Sequence, residues 1–185
     1  MKSNLIKANI FTVTIILIFN CSCNTAKLDY KQKIIKNTEN YLSTNYSTNK
    51  PYEALIKTFK CSENRQEFDT IFISLIPLLV QNYRLSMTDK QPFYHYFDNR
   101  ISSNGKTYIS FNLKTNSYIH QLSQSDNTLF RDYSNIILTL GDITPSLIAG
   151  TKQWHINMES PDELKFLFAA HLMIVTNKYA NSNTH

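Results

Sequence analysis

Residues 160–180 read SPDELKFLFAAHLMIVTNKYA, and this stretch decides the fold class. It opens with Ser160, a proline and then Glu163, which is the pattern of a capped helix with proline at its first position. Apolar side chains follow at intervals of three and four residues, as in an amphipathic helix. Because the other faces carry Phe166 and Ile174, we predict that this helix forms the centre of the core.

Two stretches further upstream also predict helices. Pro51 suits the first position of a helix. Asn64 and Glu67 resemble a capping box, and residues 68–87 behind them have helical spacing. Because that run is apolar on several faces, we expect a helix buried on most sides.

A later helix is expected between Asp126, its predicted cap, and Gly141, which suits the position just past a helix end. Residues 138–150 are similar to the inter-helix turn of HEAT-type repeats. Only one copy is visible, whereas a solenoid needs about three units or more. The similarity therefore does not predict a repeat protein.

The hydrophobic period changes between residues 93 and 122. Asn104 followed by Gly105 is the strongest hairpin signal in the chain, and the residues after it alternate like a strand. The candidate partner strands are Phe93–Arg100 and Tyr118–Leu122, and the alternative is a helix over residues 92–101.

The predicted fold class is therefore mainly α (α+β). We expect a single helical domain over residues 51–180, with a small antiparallel β-hairpin or meander around residues 93–122. A chain of 185 residues with 42% hydrophobic side chains suits one domain with its own core. Only three glycines are present, which argues against a glycine-rich phosphate cradle.

Residues 1–23 read MKSNLIKANIFTVTIILIFNCSC, with two lysines ahead of the apolar segment Ile10–Phe19. As a helix this segment spans about 15 Å, half the hydrocarbon thickness of a bilayer. That length suits a secretory signal peptide better than a membrane-spanning anchor. The alternative is an uncleaved anchor from Leu5 to Ser22, interrupted by two polar residues.

The two cysteines behind this segment make it similar to a bacterial lipoprotein signal peptide. In that class a small residue precedes a cysteine whose thiol receives diacylglycerol, and cleavage leaves this cysteine at the N-terminus. Ser22 supplies the small residue before Cys23, whereas Cys21 has the aliphatic Ile18 three positions upstream. The resemblance implies a signal peptide over residues 1–22 and lipid attachment at Cys23, with Cys21 as the alternative.

Lipidation would place the chain on a membrane of the cell envelope, because two or more acyl chains hold a protein there stably. No acidic run follows the cysteines, which favours a periplasm-facing position. Residues 23–50 are rich in Asn, Ser, Thr and Lys and predict a tether with a weak helix. Cys61 is expected to be a small buried side chain, although Cys23 is free to pair with it if Cys21 carries the lipid.

Charge is unevenly distributed. Residues 27–60 carry seven lysines and three acidic residues, a balance of +4, whereas residues 61–185 carry ten basic and eleven acidic residues, a balance of −1. The excess lies next to the expected anchor, where a lysine near an anionic membrane adds about 1 kcal/mol; a solvated tether explains it equally well. No basic stripe runs through the folded part, so we expect no nucleic-acid partner.

The sequence contains no catalytic motif. The segment from Gly105 to Thr107 matches the end of a phosphate-binding loop, but Arg100 stands where that motif requires its first glycine. No serine has the flanking glycines of a hydrolase elbow, and no histidine pair or cysteine pattern predicts a zinc site. His171 lies on the apolar face of the last helix and is expected to be a core residue. We predict no catalytic residue, cofactor, metal or nucleotide.

The strongest candidate for a contact surface is the aromatic run Phe93–Phe97, because five consecutive rings cannot all face inward. Tyr94, His95 and Tyr96 are its candidate contact residues, and hairpin packing is the alternative. Tyrosine and phenylalanine are favoured at protein interfaces.

The hypothesis is a non-enzymatic protein-binding lipoprotein, such as an immunity or inhibitor protein that neutralises an envelope toxin. The alternatives are an envelope hydrolase with His95, His120 or His155 as its base, and a structural or assembly lipoprotein of an envelope complex.

Overall fold

The computed structural model describes residues 2–62, 64–102, 105–143 and 155–182. Side chains are described from Asn24 onward within these ranges, except those of Ser86 and Ser182. The described residues form seven helices and two strands, in this order: α1 (Lys2–Asn45), α2 (Pro51–Cys61), α3 (Arg65–Thr88), α4 (Lys90–Tyr96), β1 (Phe97–Ile101), β2 (Thr107–Phe111), α5 (Tyr118–Leu122), α6 (Thr128–Leu140) and α7 (Asp162–Ser182). This confirms the mainly α class with a small antiparallel sheet.

Helix α7 is the central element of the core, as its sequence predicts. From Leu164 to Thr176 every side chain except that of Lys165 is buried. The helix packs against α1, α3 and β2. Its start differs from the prediction by one residue, because the helix begins at Asp162 and the Pro161 carbonyl accepts from Lys165 N–H at 3.1 Å. The Ser160 hydroxyl accepts a hydrogen bond from the backbone of Asn157 at 2.9 Å. The hydroxyl is thus engaged with the preceding loop, because that loop turns back on it.

Helix α1 differs from the predicted tether over residues 23–50. Four apolar side chains on one of its faces are buried in the core: Tyr30, Ile34, Ile35 and Leu42. The Tyr30 ring stacks on that of Tyr96, with ring centroids 5.7 Å apart. Polar residues on the remaining faces dominate the composition, which is why composition alone indicated a tether. The second half of α1 is therefore part of the folded domain.

Ion pairs fix α1 against α7. The Lys31 ammonium pairs with the carboxylate of Glu163, and Lys165 reaches Glu39 at 2.9 Å. The sequence alone predicts Lys31 to lie in a solvated or membrane-facing tether. In the structure this lysine binds the start of the central helix.

The helix ends follow the sequence signals in most places. Pro51 begins α2, and the Asn64 side chain caps α3 by accepting from the backbone N–H of Glu67 at 3.0 Å. Gly141 ends α6 with a φ of +70°. The cap of α6 is Asn127 and not Asp126, because the Asn127 carboxamide is the group that accepts from the first turn, at 3.3 Å. The capping prediction was wrong there by one residue.

The hairpin is confirmed, but the wider meander is not. Strands β1 and β2 pair antiparallel with Phe97 opposite Phe111, and Gly105 in the connection has a φ of +79°. Residues 93–96 belong to α4 and residues 97–101 form β1, so the helical interpretation holds only for the first part of this stretch. Tyr118–Leu122 is helix α5 and not a strand, since Ser117 caps it and its apolar residues lie on one helical face. Residues 144–150 of the HEAT-like stretch lie outside the described residues.

Helix α3 is less buried than predicted. Its core face is covered by α1 and α7, but Ile73, Val80, Tyr83 and Met87 are exposed. The sequence shows which faces of a helix are apolar, but it does not show how many of those faces other elements of the fold cover.

Replacing Ile34 with alanine tests the role of α1 in the core. We expect a loss of about 3 kcal/mol in the free energy of unfolding, because a fully buried aliphatic side chain is truncated. The control is Leu28→Ala on the same helix, where the side chain is 56% exposed and the change should stay within about 0.5 kcal/mol. Equal effects of both substitutions, measured by chemical denaturation, would contradict the packing of α1.

Candidate functional site

The three candidate contact residues of the aromatic run have different environments. Tyr94 is 52% exposed, His95 is partly buried and Tyr96 is buried. The Tyr96 ring packs edge-on against Phe166 at a centroid distance of 4.7 Å, and its hydroxyl donates to the carbonyl of Lys27 at 3.0 Å. Tyr96 is therefore a core residue and does not form a contact surface, because stacking on α1 and α7 turns its ring inward.

Tyr94 is held in place from two sides. Its carbonyl accepts a hydrogen bond from the Asn112 carboxamide at 2.6 Å, which ties the end of α4 to the residue after β2. Its ring packs edge-on against Phe93, with ring centroids 5.2 Å apart. An exposed aromatic side chain on a fixed backbone loses little conformational entropy on binding. The candidate surface is thus reduced to Tyr94 with His95 beside it.

His95 is a poor candidate for a catalytic base. Burial, and secondly the nearby charge of Lys27, lowers the pKa of its imidazole to about 4. A general base works best when its pKa lies near the operating pH. At neutral pH the His95 ring is a neutral, weakly basic group, which suits packing and hydrogen bonding.

The other candidate histidines lie apart along the chain. His120 is in α5, His155 is exposed in the loop before α7, and His171 is buried in α7. The Nδ1 atom of His171 and the hydroxyl of Tyr133 share a hydrogen bond of 2.8 Å. Burial, and then the charge of Lys178, lowers the pKa of His171 to about 3. His171 is a core histidine, as its position on the apolar face predicts.

A polar cluster that the sequence did not predict surrounds Asp142, just after α6. The Lys178 ammonium lies 2.5 Å from one carboxylate oxygen and also donates to the carbonyl of Ile143 at 2.6 Å. The Ser110 hydroxyl donates to the other carboxylate oxygen at 3.1 Å. Lys178 and Ser110 each stand more than thirty positions from Asp142 in the sequence, so no local spacing could indicate that they meet it.

The chemistry of this cluster is that of a structural clamp. Partial burial by itself raises the pKa of Asp142, but hydrogen bonds from Lys178, the Ile143 amide and Ser110 outweigh it, so that the pKa lies below its ordinary value. A carboxylate with a lowered pKa is a poor proton acceptor at neutral pH. The cluster joins the end of α6 to β2 and α7.

Cys61 is exposed, contrary to the prediction of a buried side chain. It is the last residue of α2, whose buried face consists of residues earlier in the helix. The thiol borders an open cavity of about 640 Å³ between α2 and α3, together with Tyr46, Lys57 and Ile71. The predicted lipid-attachment residues, Cys23 and its alternative Cys21, lie in the part of α1 for which only the backbone is described.

Comparisons with known proteins found no relative, because no family model, no curated protein and no solved structure matches this chain. Within the described ranges, no group of three or more histidine, cysteine or acidic side chains is placed to hold a metal ion. No helix in the described part of the chain is both long and apolar enough to cross a membrane.

Replacing Asp142 with asparagine should lower the free energy of unfolding by about 2 kcal/mol at pH 7, because hydrogen bonds to a charged group are lost. Since the folded-state pKa is lowered, the contribution is fully present above the unfolded value, 3.8, and is lost as the pH falls through the folded value. The difference between the two proteins should therefore shrink below pH 3.8.

The matched control is Asp132→Asn on α6. Its side chain is 70% exposed, and its carboxylate makes a long ion pair of 4.0 Å with the guanidinium of Arg131. It should leave stability unchanged within about 0.5 kcal/mol at every pH. If Asp142→Asn gave the same flat profile in denaturant titrations from pH 2 to 7, Asp142 would not be the clamp described.

Proposed function

We propose that this chain is an exported, lipid-anchored, non-enzymatic protein-binding module of the cell envelope, with Tyr94 as the centre of its binding surface. The observation that carries the proposal is the exposed ring of Tyr94 on a backbone fixed by Asn112. Tyrosine is enriched among the residues that dominate binding energy at interfaces. His95, the next residue in the chain, is neutral at physiological pH and adds no charge that binding would desolvate.

Three polar groups, those of His95, His171 and Asp142, support a binding role over catalysis. The pKa values of His95 and His171 lie far below neutrality, and Asp142 is engaged with Lys178. Each of these groups is explained by packing or by a structural hydrogen bond. The partner we propose is a protein of the same compartment, such as a toxin that the module neutralises.

The anchoring part of the proposal rests on the sequence of residues 1–23. Helix α1 supports this part of the proposal, because the helix continues from residues 1–23 into the core without interruption. Only residues 24–29 separate Cys23 from Tyr30, which is fully buried. Six helical residues span about 9 Å, so a lipid on Cys23 would hold the domain next to the bilayer.

The anchor is tested by fractionating cells that express the full chain and weighing the purified product. We expect the chain in the membrane fraction, with the mass of a polypeptide that begins at a diacylglyceryl-modified Cys23. Cys23→Ala should abolish modification and cleavage, whereas the matched variant Cys21→Ala should behave like the wild type. A soluble, unmodified polypeptide that begins at Met1 would refute the anchoring.

The binding surface is tested by comparing Tyr94→Ala with Leu140→Ala, a similarly exposed residue on α6. The detergent-solubilised chain is used to capture its partner from the envelope of the cells that make it, and affinity for that partner is then measured. Loss of a central aromatic anchor should weaken binding by about thirtyfold, as for an interface hot spot, whereas Leu140→Ala should not. Equal affinity of the two variants would remove Tyr94 from the binding surface.

A further inference from the structure

The outward face of α3 carries a row of five apolar side chains spaced alternately by three and four residues. They are Ile73, Ile76, Val80, Tyr83 and Met87, here named the α3 stripe. Ile76 is partly buried, and the other four are between 39% and 57% exposed. The opposite face of α3 packs on the core, so this helix is apolar on two sides.

Alternating intervals of three and four are the spacing of the a and d positions of a coiled coil, whose side chains pack against a second helix. A helix that only borders a core needs one apolar face, and its outward face is normally polar. The α3 stripe extends over 15 residues, about 21 Å from its first residue to its last. Its spacing therefore fits a helical partner.

We propose that this partner is the α3 helix of a second copy of the chain, packed antiparallel to the first. In an antiparallel pair an a residue faces a d residue of the other helix, and a two-fold axis makes every contact occur twice. One a–d register places Ile73 opposite Tyr83 and Ile76 opposite Val80, and it leaves Met87 at the end of the seam, opposite Asp69. Both copies then bury the same four side chains.

Charge complementarity selects this orientation. Asp69 precedes the stripe by one turn, and Arg84 flanks its other end. In the antiparallel register each Asp69 lies within about one helical turn of Arg84 of the other copy, which gives two symmetric pairs of opposite charge. In a parallel pair each Asp69 would face another Asp69. Antiparallel helices also bring opposite ends of their macrodipoles together.

A concavity beside the stripe gives room for the second copy. A cavity of about 590 Å³ is lined by Asn37 of α1 and by residues of α3 that include Pro77, Val80 and Arg84. Val80 is the stripe residue in its described lining, which otherwise runs along the side of α3 that faces α1, as far as Thr88.

The self-association is independent of the proposed partner surface, because Tyr94 is on α4. It is tested by sedimentation of the full chain in a non-ionic detergent across a range of concentrations. The wild type should show a reversible monomer–dimer equilibrium. Val80→Glu should raise the dimer dissociation constant by at least about tenfold, because it would bury a charge in the seam. The control is Ile136→Glu on α6, since Val80 and Ile136 are both 44% exposed.

The orientation is tested by exchanging the charges. Asp69→Arg should weaken the dimer, and the double variant Asp69→Arg/Arg84→Asp should restore it, because the two symmetric pairs return with opposite polarity. Thermal melts should show that all variants remain folded. A wild type that stays monomeric at every concentration, equal effects of the two glutamate variants, or a double variant that fails to restore the dimer would each overturn the proposal. Tyr94→Ala should leave the dimer intact, so failure here does not affect the proposed function.

Discussion

The fold depends on one constraint, which is that α7 has no polar face. Over most of its 21 residues its side chains are buried on all sides, so the helix is stable only inside a shell of other elements. Helices α1 and α3 and strand β2 supply that shell. Burial of the apolar area of α7 favours folding in proportion to the area removed from water, and each covering element needs only one apolar face.

Polar contacts determine how the covering elements sit on α7. Near the start of the helix, Glu163 pairs with Lys31 of α1. Near its end, Asn177 accepts from the backbone of Ile109 in β2 at 2.7 Å, and Lys178 holds Asp142 at the end of α6. Apolar packing is not directional, whereas these contacts have defined partners. They therefore fix the register of α1, the hairpin and α6 along a helix whose surface is otherwise apolar.

The parts of this fold that are local in sequence were predictable, and those that depend on distant contacts were not. The cap at Asn64 and the central helix follow from spacing, because a helix is defined by neighbours three and four residues away. The burial of Tyr96 depends on Tyr30, sixty-six positions earlier, and the Asp142 cluster joins three separate elements. At the candidate site the sequence indicated an aromatic run, but it could not tell the exposed Tyr94 from the buried Tyr96.

The proposed anchor and the proposed α3 seam, taken together, would restrict how the chain sits on a membrane. Contacts of Lys33 with Asp89 and of Tyr41 with Ser74 show that α3 runs antiparallel to α1. An antiparallel pair of α3 helices therefore places the two Cys23 ends at opposite ends of the dimer. Both lipids reach the same bilayer only if the two-fold axis is normal to it. In that arrangement α1 and α3 lie parallel to the membrane plane, because an axis that relates antiparallel helices is perpendicular to them.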